Sequence, residues 1–244
     1  MERHLISLSD IDEKRFGLRT AKASDIRAQD IPDVIRYCTE QMVELLIARC
    51  PTSDLQVVQK MEQLGFLLMD TLIYFSYDLT TRPIKSDTSF NMIRMVRPGE
   101  EEAVRSVAVD IFQGYLGHYH ADSRLDRNKC NAVYSDWAYR SCVSPDVADA
   151  VLVAETDGKV IGFGAIRINS PVEGEGMLFG VTPLFQGKGI YRSIMIGCLN
   201  WCAERGLERM IISTQITNLA SQKVWIRLGF EPIRSYHTFH KWFS

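Results

Sequence analysis

The chain has 244 residues, 46% of them apolar and 24% charged, which suffices for one large or two modest domains with cores of their own. Its 28 basic and 30 acidic residues leave a formal charge of −2, no electrostatic footing for nucleic acid or an anionic membrane. No run is long and apolar enough to span a bilayer, "MERHLISLSD" lacks the apolar stretch of a signal peptide, and six scattered cysteines without a CxxC suit reduced thiols, so a cytoplasmic protein is expected.

Residues 1–80 read as a mixed α/β unit. "FGLRTAKA" (Phe16–Ala23) predicts a strand, and "DVIRYCTEQMVELLIARC" (Asp33–Cys50) spaces Val34, Ile35, Cys38, Met42, Leu45 and Leu46 as one helix would. "PTSD" then caps a helix over Leu55–Leu64 that Gly65 stops, and "FLLMDTLIYFSYDL" is strand-like. Residues 81–90, polar with a proline and no periodicity, form the expected linker.

A second unit spans 91–244. Strand Asn91–Val96 leads through Arg-Pro-Gly into a helix with three glutamates in its first turn, where carboxylates suit the dipole. Residues 113–147 are rich in Tyr, His, Arg and Trp. Two alternating runs about Asp157-Gly158 predict a hairpin. Strand "GMLFGVTP", a helix stopped by Gly206, strand "ERMIISTQI" and a last helix and strand complete a mixed sheet covered by helices.

One unit is spelled twice. Asp54 and Asn218 each stand eleven residues before a glycine inside Leu-Gly-Phe, with an aromatic-rich, strand-like run behind. Only the second copy follows a glycine loop, since "SDIRAQDIPD" has none, and Met61 holds the place of Trp225. The first half is therefore expected to bind no cofactor and to serve as scaffold or substrate wall.

"VTPLFQGKGIYR" carries the chemistry. A strand (Met177–Val181) passes through Pro183 and a glycine loop straight into an amphipathic helix, which aims free N–H groups and the positive helix end at one point, as a phosphate requires. Gly187 and Gly189 allow close backbone approach. The segment is neither a P-loop nor a GxGxxG dinucleotide turn.

"GMLFGVTPLFQGKGIYRSIM" resembles the acyl-CoA-binding motif of the GNAT superfamily of N-acetyltransferases, Gln/Arg-x-x-Gly-x-Gly/Ala, through Gln186, Gly187, Lys188 and Gly189. "TQITNLASQKVWIRLGF" resembles the family's later strand–Asn–helix–Gly-Phe signature. The resemblance covers about 91–244 and implies a GNAT fold with a splayed central sheet, preceded by a truncated GNAT-like domain. It implies acetyl-CoA as cosubstrate, with its diphosphate on the amides of Gln186, Gly187, Lys188, Gly189, Ile190, Tyr191 and Arg192. The pantetheine would add as a strand along Met177–Val181, with an amide near Phe179 or Gly180 polarising the thioester carbonyl. Val181, Asn218 and Trp225 belong to the same cofactor site, Asn218 being equally readable as a helix cap.

Two positions depart from the family. Tyr191 stands where Gly or Ala is usual, so its ring must swing away from the phosphates. Trp225 stands where many members carry a tyrosine as acid for the departing thiolate, and an indole N–H donates a hydrogen bond but not a proton. Tyr236 and His240 are the candidate catalytic residues in its stead, on one strand face with His237 on the other. His118, His120 and Glu175 are candidate bases for the amine. The histidine pairs lack a Cys, Asp or Glu to complete a set, and no metal is expected.

A reduced lobe before a full one is similar to the bacterial dTDP-fucosamine acetyltransferase type, which acetylates a nucleotide-linked 4-amino sugar for surface polysaccharide. That likeness makes His118, Tyr119, His120, Tyr134 and Trp137 candidate acceptor-binding residues, with Arg124 and Arg127 for a diphosphate. Tyr134 and Trp137, three apart, read equally as a core stripe. The expected partner is a small amine, with homodimerisation expected and no nucleic acid or membrane. Another amine acceptor, or a non-catalytic acyl-CoA-binding module, are the alternatives.

Overall fold

The computed structural model describes residues 5–85 and 92–243. Residues 86–91, which include the second half of the expected linker and the first residue of the expected strand at Asn91, lie outside them. The first part of the chain supplies β1 (Ile6–Leu8), α1 (Asp10–Phe16), β2 (Thr20–Ala23), α2 (Ile31–Glu40), β3 (Leu45–Pro51), α3 (Leu55–Gln63) and β4 (Leu67–Asp78). There follow β5 (Ile93–Met95), α4 (Glu101–Phe112), α5 (His118–Ala121), α6 (Arg127–Val143), β6 (Ala150–Thr156) and β7 (Lys159–Ser170). The last elements are β8 (Glu173–Val181), α7 (Ile190–Glu204), β9 (Arg209–Gln215), α8 (Leu219–Leu228) and β10 (Glu231–Trp242).

Two elements differ from the sequence pattern. The expected helix over 33–50 breaks after Glu40, Met42 turns with a φ of 52°, and Leu45–Pro51 is a strand. Leu45, Leu46, Ile47 and Ala48 are all buried between β2 and β10, and a strand covered on both faces loses the alternation that marks a half-exposed one. Phe16, expected in a strand, instead closes α1 ahead of left-handed Gly17, and the strand starts at Thr20.

Among the described residues ten strands form one mixed sheet, ordered β1-β2-β3-β10-β4-β9-β8-β7-β6-β5. Only β2–β3 and β8–β9 are parallel pairs in it. Helices cover both faces. The apolar sides of α7 and α8 build one cluster, α4 and α6 a second, and α2 and α3 a third. Alternation along β3 sends Leu45 and Ile47 to the second cluster and Leu46 and Ala48 to the third.

The repeated unit explains the middle of the sheet. Asp54 caps α3 by accepting from Val57 N–H, and Asn218 caps α8 by accepting from Ser221 N–H. Gly65 and Gly229 then take φ values of 77° and 114°, which only glycine adopts cheaply. The two strands that follow, β4 and β10, pair antiparallel with each other from Glu231–Ser76 to His240–Leu67. Each also pairs with the strand before the other's helix, β10 with β3 and β4 with β9. The halves have thus exchanged their final strands. Phe239 of β10 is 1% exposed in the cluster under α2 and α3, a burial of about 2 kcal/mol that ties the chain's end to its beginning.

Candidate active site

β8 runs beside β7 as far as Val181–Gly162 but stays parallel to β9 only over Glu173–Gly176. Beyond Gly176 the strands part, and Met177–Val181 face a gap across from Ser213–Gln215, the splay that the motif implied. Its cause is local. The register with β7 steps from Gly176–Ile166 to Leu178–Ala165, so Met177 is an extra residue and the bulge bends β8. A Cβ on Gly164 or Gly176 would lie 2.5 or 2.7 Å from the Phe179 ring, so these glycines let that side chain pack inward and leave Phe179 its backbone for a ligand. Paired on one side only, this stretch points alternate N–H and C=O groups into the gap.

After a 3₁₀ turn at Pro183–Phe185 the loop enters α7 through Gly187 (φ 74°) and Gly189 (φ 83°). Gln186 plays a part other than expected. Its amide bonds to Pro183 O at 3.3 Å, and its side-chain Nε2 donates to Val181 O at 2.9 Å, so it pins the loop to the strand. Among the described residues, the N–H groups of Gly187, Lys188, Gly189, Ile190 and Tyr191 have no internal acceptor. Nothing stands within 4 Å of a Cβ built on Gly187, so the loop opens to free space. The Ile190 side chain is buried and Lys188 Nζ lies 5.0 Å from the centre of the Phe185 ring.

Tyr191 does swing across. Its hydroxyl accepts from Trp225 Nε1 at 3.1 Å, and its ring meets Phe179 edge-on at 6.3 Å. Burial pushes the phenol up to about 12, despite hydrogen bonds from Ser221 and Trp225 that pull the other way. Trp225 is 2% exposed and edge-on to Phe75. Asn218 caps α8 and donates to Thr214 Oγ1, and it also lines the cavity described below.

On the other wall a buried hydrogen-bonded chain is assembled from two distant segments. His240 of β10 contacts Asp122 Oδ2 through Nδ1 at 2.7 Å and His118 Nδ1 through Nε2 at 2.9 Å. Trp242 Nε1 donates to the same carboxylate oxygen at 2.9 Å. Burial raises the Asp122 carboxyl, but hydrogen bonds from His240, the Arg124 N–H and Trp242 more than offset it and hold the group below its usual value. An ionised Asp122 places a proton on His240 Nδ1, so His240 Nε2 accepts from His118 Nδ1–H and the lone pair is left on His118 Nε2. That nitrogen has no hydrogen-bond partner among the described residues. Burial, reinforced by His240, Arg49, Lys22 and His120, holds His118 well below the ordinary histidine value, hence neutral and able to accept a proton.

Splay and hydrogen-bonded chain open on one cavity of about 600 Å³, lined by Phe179, Tyr191, Gln215 and Trp225 at one end and by His118, Tyr119, Tyr134 and Trp137 at the other. Tyr134 lines this cavity and its ring also stacks on Phe112 at 4.6 Å. Tyr119 donates to the buried Asp12 carboxylate at 2.9 Å. Other expected groups are not brought in. His120 bonds Asn131 and the Gly117 N–H, and Tyr236 packs edge-on against Tyr74, neither lining the cavity. Arg124 lies over the Trp242 ring and Arg127 donates to His120 O, so both arginines are occupied away from the cavity. Its cations are instead Arg15, Lys22, Arg49, Arg140 and Arg167, beside Asp70, Asp146 and Glu175; Arg15 pairs with Asp136 at 2.6 Å, Lys22 with Asp12 at 2.5 Å and Arg167 with Glu175 at 2.9 Å. Among the described residues no group of three or more His, Cys, Asp or Glu could hold a metal ion, and no helix is long and apolar enough to cross a membrane.

Comparison with known proteins agrees with this geometry. The acetyltransferase (GNAT) family matches residues 111–230. The spore coat polysaccharide biosynthesis protein SpsD of Bacillus subtilis is 24% identical over 84% of this chain and 70% of its own length. A mycothiol acetyltransferase of Amycolatopsis mediterranei is 33% identical over 34% of this chain, a match that spans 30% of that enzyme. The fold is that of a GCN5-related N-acetyltransferase from Sphaerobacter thermophilus, with a TM-score of 0.68 at 13% identity over 97% of this chain and 76% of that one. Loop, splay, family match and fold converge, and the chain is an acyltransferase whose residues 111–230 belong to the GNAT acetyltransferase family.

Proposed function

We propose that the chain transfers an acetyl group from acetyl-CoA to the amine of a nucleotide-linked amino sugar of the dTDP-4-amino-dideoxysugar type. The observation that carries the reading is the splay beyond Gly176 beside the unpaired N–H groups of Gly187–Tyr191, which together fit a strand-like pantetheine and a diphosphate. The likeness to a polysaccharide biosynthesis protein and the arginines lining the cavity favour a phosphorylated sugar over other amines.

In this reading the amine attacks the thioester carbonyl while a backbone N–H near Phe179 or Gly180 takes the developing charge on oxygen. The amine's proton passes to His118 Nε2, and the charge is shared through His240 toward Asp122. His240 thus serves the base rather than the thiolate acid expected of it, one ring removed from the substrate. Tyr191 stays protonated with a value near 12 and donates a hydrogen bond to the departing thiolate, which water protonates. The first half, a truncated GNAT-like domain over 1–80 joined by 81–90 to the catalytic domain over 91–244, forms the far wall of the cavity. Six unpaired cysteines fit a reducing cytoplasm, and a homodimer is part of the same proposal, to be read by sedimentation.

The test is CoA release, followed with a thiol reagent, from purified protein, acetyl-CoA and dTDP-4-amino-4,6-dideoxygalactose. Turnover is expected with that acceptor. Absence of turnover over a panel of dTDP- and UDP-linked amino sugars would remove the acceptor class.

A further inference from the structure

Four side chains among the described residues have a buried polar atom with no hydrogen-bond partner, and three of them are neighbours. They are Arg49 Nε, Thr238 Oγ1 and Asp70 Oδ1. Thr238 of β10 stands opposite Arg49 of β3 on one side and Asp70 of β4 on the other, so the three form one row across the sheet. The row shares its face with His240, two residues further along β10. Arg49 and Asp70 line the cavity, and Thr238, fully buried, lies between them.

Such a row is costly when empty. Each buried polar atom without a partner costs about 1–3 kcal/mol, and native proteins carry few of them without a reason. Charge sharpens the point. Arg49 and Asp70 are opposite in sign yet make no ion pair with each other, being held two strand spacings apart, about 10 Å between Cα atoms. Asp70 follows a register shift between β4 and β10 and takes only a long 3.4 Å hydrogen bond from Gln215, which stands at the open end of the splay.

Resting on the acetyltransferase reading above, we infer that Arg49 and Asp70, spaced by the buried Thr238, form the acceptor subsite, and that it takes an amine carrying a phosphate about one sugar ring away. Asp70, nearer the splay through Gln215, receives the ammonium and holds it within the cavity that His118 lines. Arg49, two strands further out, receives the anionic arm. Thr238, buried between them and off the cavity wall, sets their spacing. The first half of the chain then supplies both charges that select the acceptor, and the exchange of final strands around β10 sets them across the cavity.

Calorimetry on the full chain tests this with two amine–phosphate probes, dTDP-4-amino-4,6-dideoxygalactose and glucosamine 6-phosphate, against glucosamine and glucose 6-phosphate. At least one amine–phosphate probe is expected to bind about tenfold or more tighter than either single-charge sugar. Arg49→Met should erase its advantage over glucosamine and Asp70→Asn its advantage over glucose 6-phosphate, each by roughly 10- to 100-fold, the worth of a buried charged hydrogen bond. Acetyl-CoA affinity should stay unchanged in both. Thr238→Val, isosteric and off the cavity wall, should leave probe affinity unchanged and the unfolding midpoint unchanged or higher, because the orphan hydroxyl is gone. No preference for an amine–phosphate probe overturns the inference, as does a preference within about twofold of the parent's in both charge variants. Acetylation of amino sugars that ignores both charge substitutions would discard the subsite and keep the acetyltransferase reading. Probe binding that depends on them without any turnover would do the reverse.

Discussion

Replacing Asp122 by asparagine keeps the shape of the proton path and removes its charge. The carboxylate oxygen Oδ2 accepts from His240 Nδ1 at 2.7 Å and from Trp242 Nε1 at 2.9 Å, and an amide oxygen can accept both. What changes is the field felt by a proton taken from the amine. With charge centres about 4 Å apart and an effective dielectric near 20, the lost attraction is about 4 kcal/mol for a charge on His240. For a charge on His118, one ring further at about 8 Å, it is about 2 kcal/mol. The expected fall in kcat therefore lies between roughly 30-fold and 1,000-fold. The assay is CoA release at saturating acetyl-CoA, with kcat followed against pH. Because the neutral amide no longer favours the protonated pair, the acidic limb should also move to lower pH. Acetyl-CoA affinity by calorimetry, expected to be unchanged, controls for folding. A kcat within twofold of the parent, in a protein that still binds acetyl-CoA, would refute the path.

Other expectations concern the loop, the sheet and the histidines. Gly187→Ala places a Cβ at a φ of 74° in open space, so it should cost about 1 kcal/mol in denaturant unfolding yet weaken acetyl-CoA more than tenfold, and unchanged affinity would move the diphosphate elsewhere. Gly164→Ala drives a methyl within 2.5 Å of the Phe179 ring and should destabilise by about 1–3 kcal/mol while lowering kcat, since Phe179 cannot shift without its backbone. Trp225→Phe removes the N–H that Tyr191 accepts and should cost about 1–2 kcal/mol of stability with less than a tenfold loss in kcat; abolished transfer with intact acetyl-CoA binding would make the indole essential. His118, held below the ordinary value of 6.5, is neutral in both states above that pH. As pH falls below it the unfolded chain takes up a proton that the folded site refuses, so stability should drop by about 1.4 kcal/mol per pH unit until the folded site titrates. His120 shifts in the same direction, so the measure is the parent's curve minus that of His118→Asn, and parallel curves between about pH 5 and 6.5 would contradict it.

Much of the donor side could be read from the chain because its determinants are local. Gly187 and Gly189, the strand before them and the helix after them all lie within residues 173–204, and free amides at a helix start follow from backbone geometry alone. The caps Asp54 and Asn218 and the left-handed Gly65 and Gly229 were legible for the same reason. The bend in β8 was implied by resemblance, but its bulge at Met177 depends on pairing with β7 and has no sequence mark. Leu45–Pro51 was misread as helix because full burial erased its alternation.

The acceptor side depends on tertiary structure almost entirely. His118 and His240 stand out in the sequence as a rich aromatic stretch and a terminal histidine, but nothing ties them together across 122 positions until β10 inserts between β3 and β4. Asp122 passes for an ordinary helix-end acid, and Arg49 and Asp70 for two strand residues among many. Their adjacency through Thr238 exists only because two similar helix–strand units swapped partners, which is a matter of long-range hydrogen-bond registry. Local geometry thus determined where free amides gather, while strand exchange decided which charges meet across the cavity, since pairing across a sheet is set by the whole buried pattern rather than by any single segment.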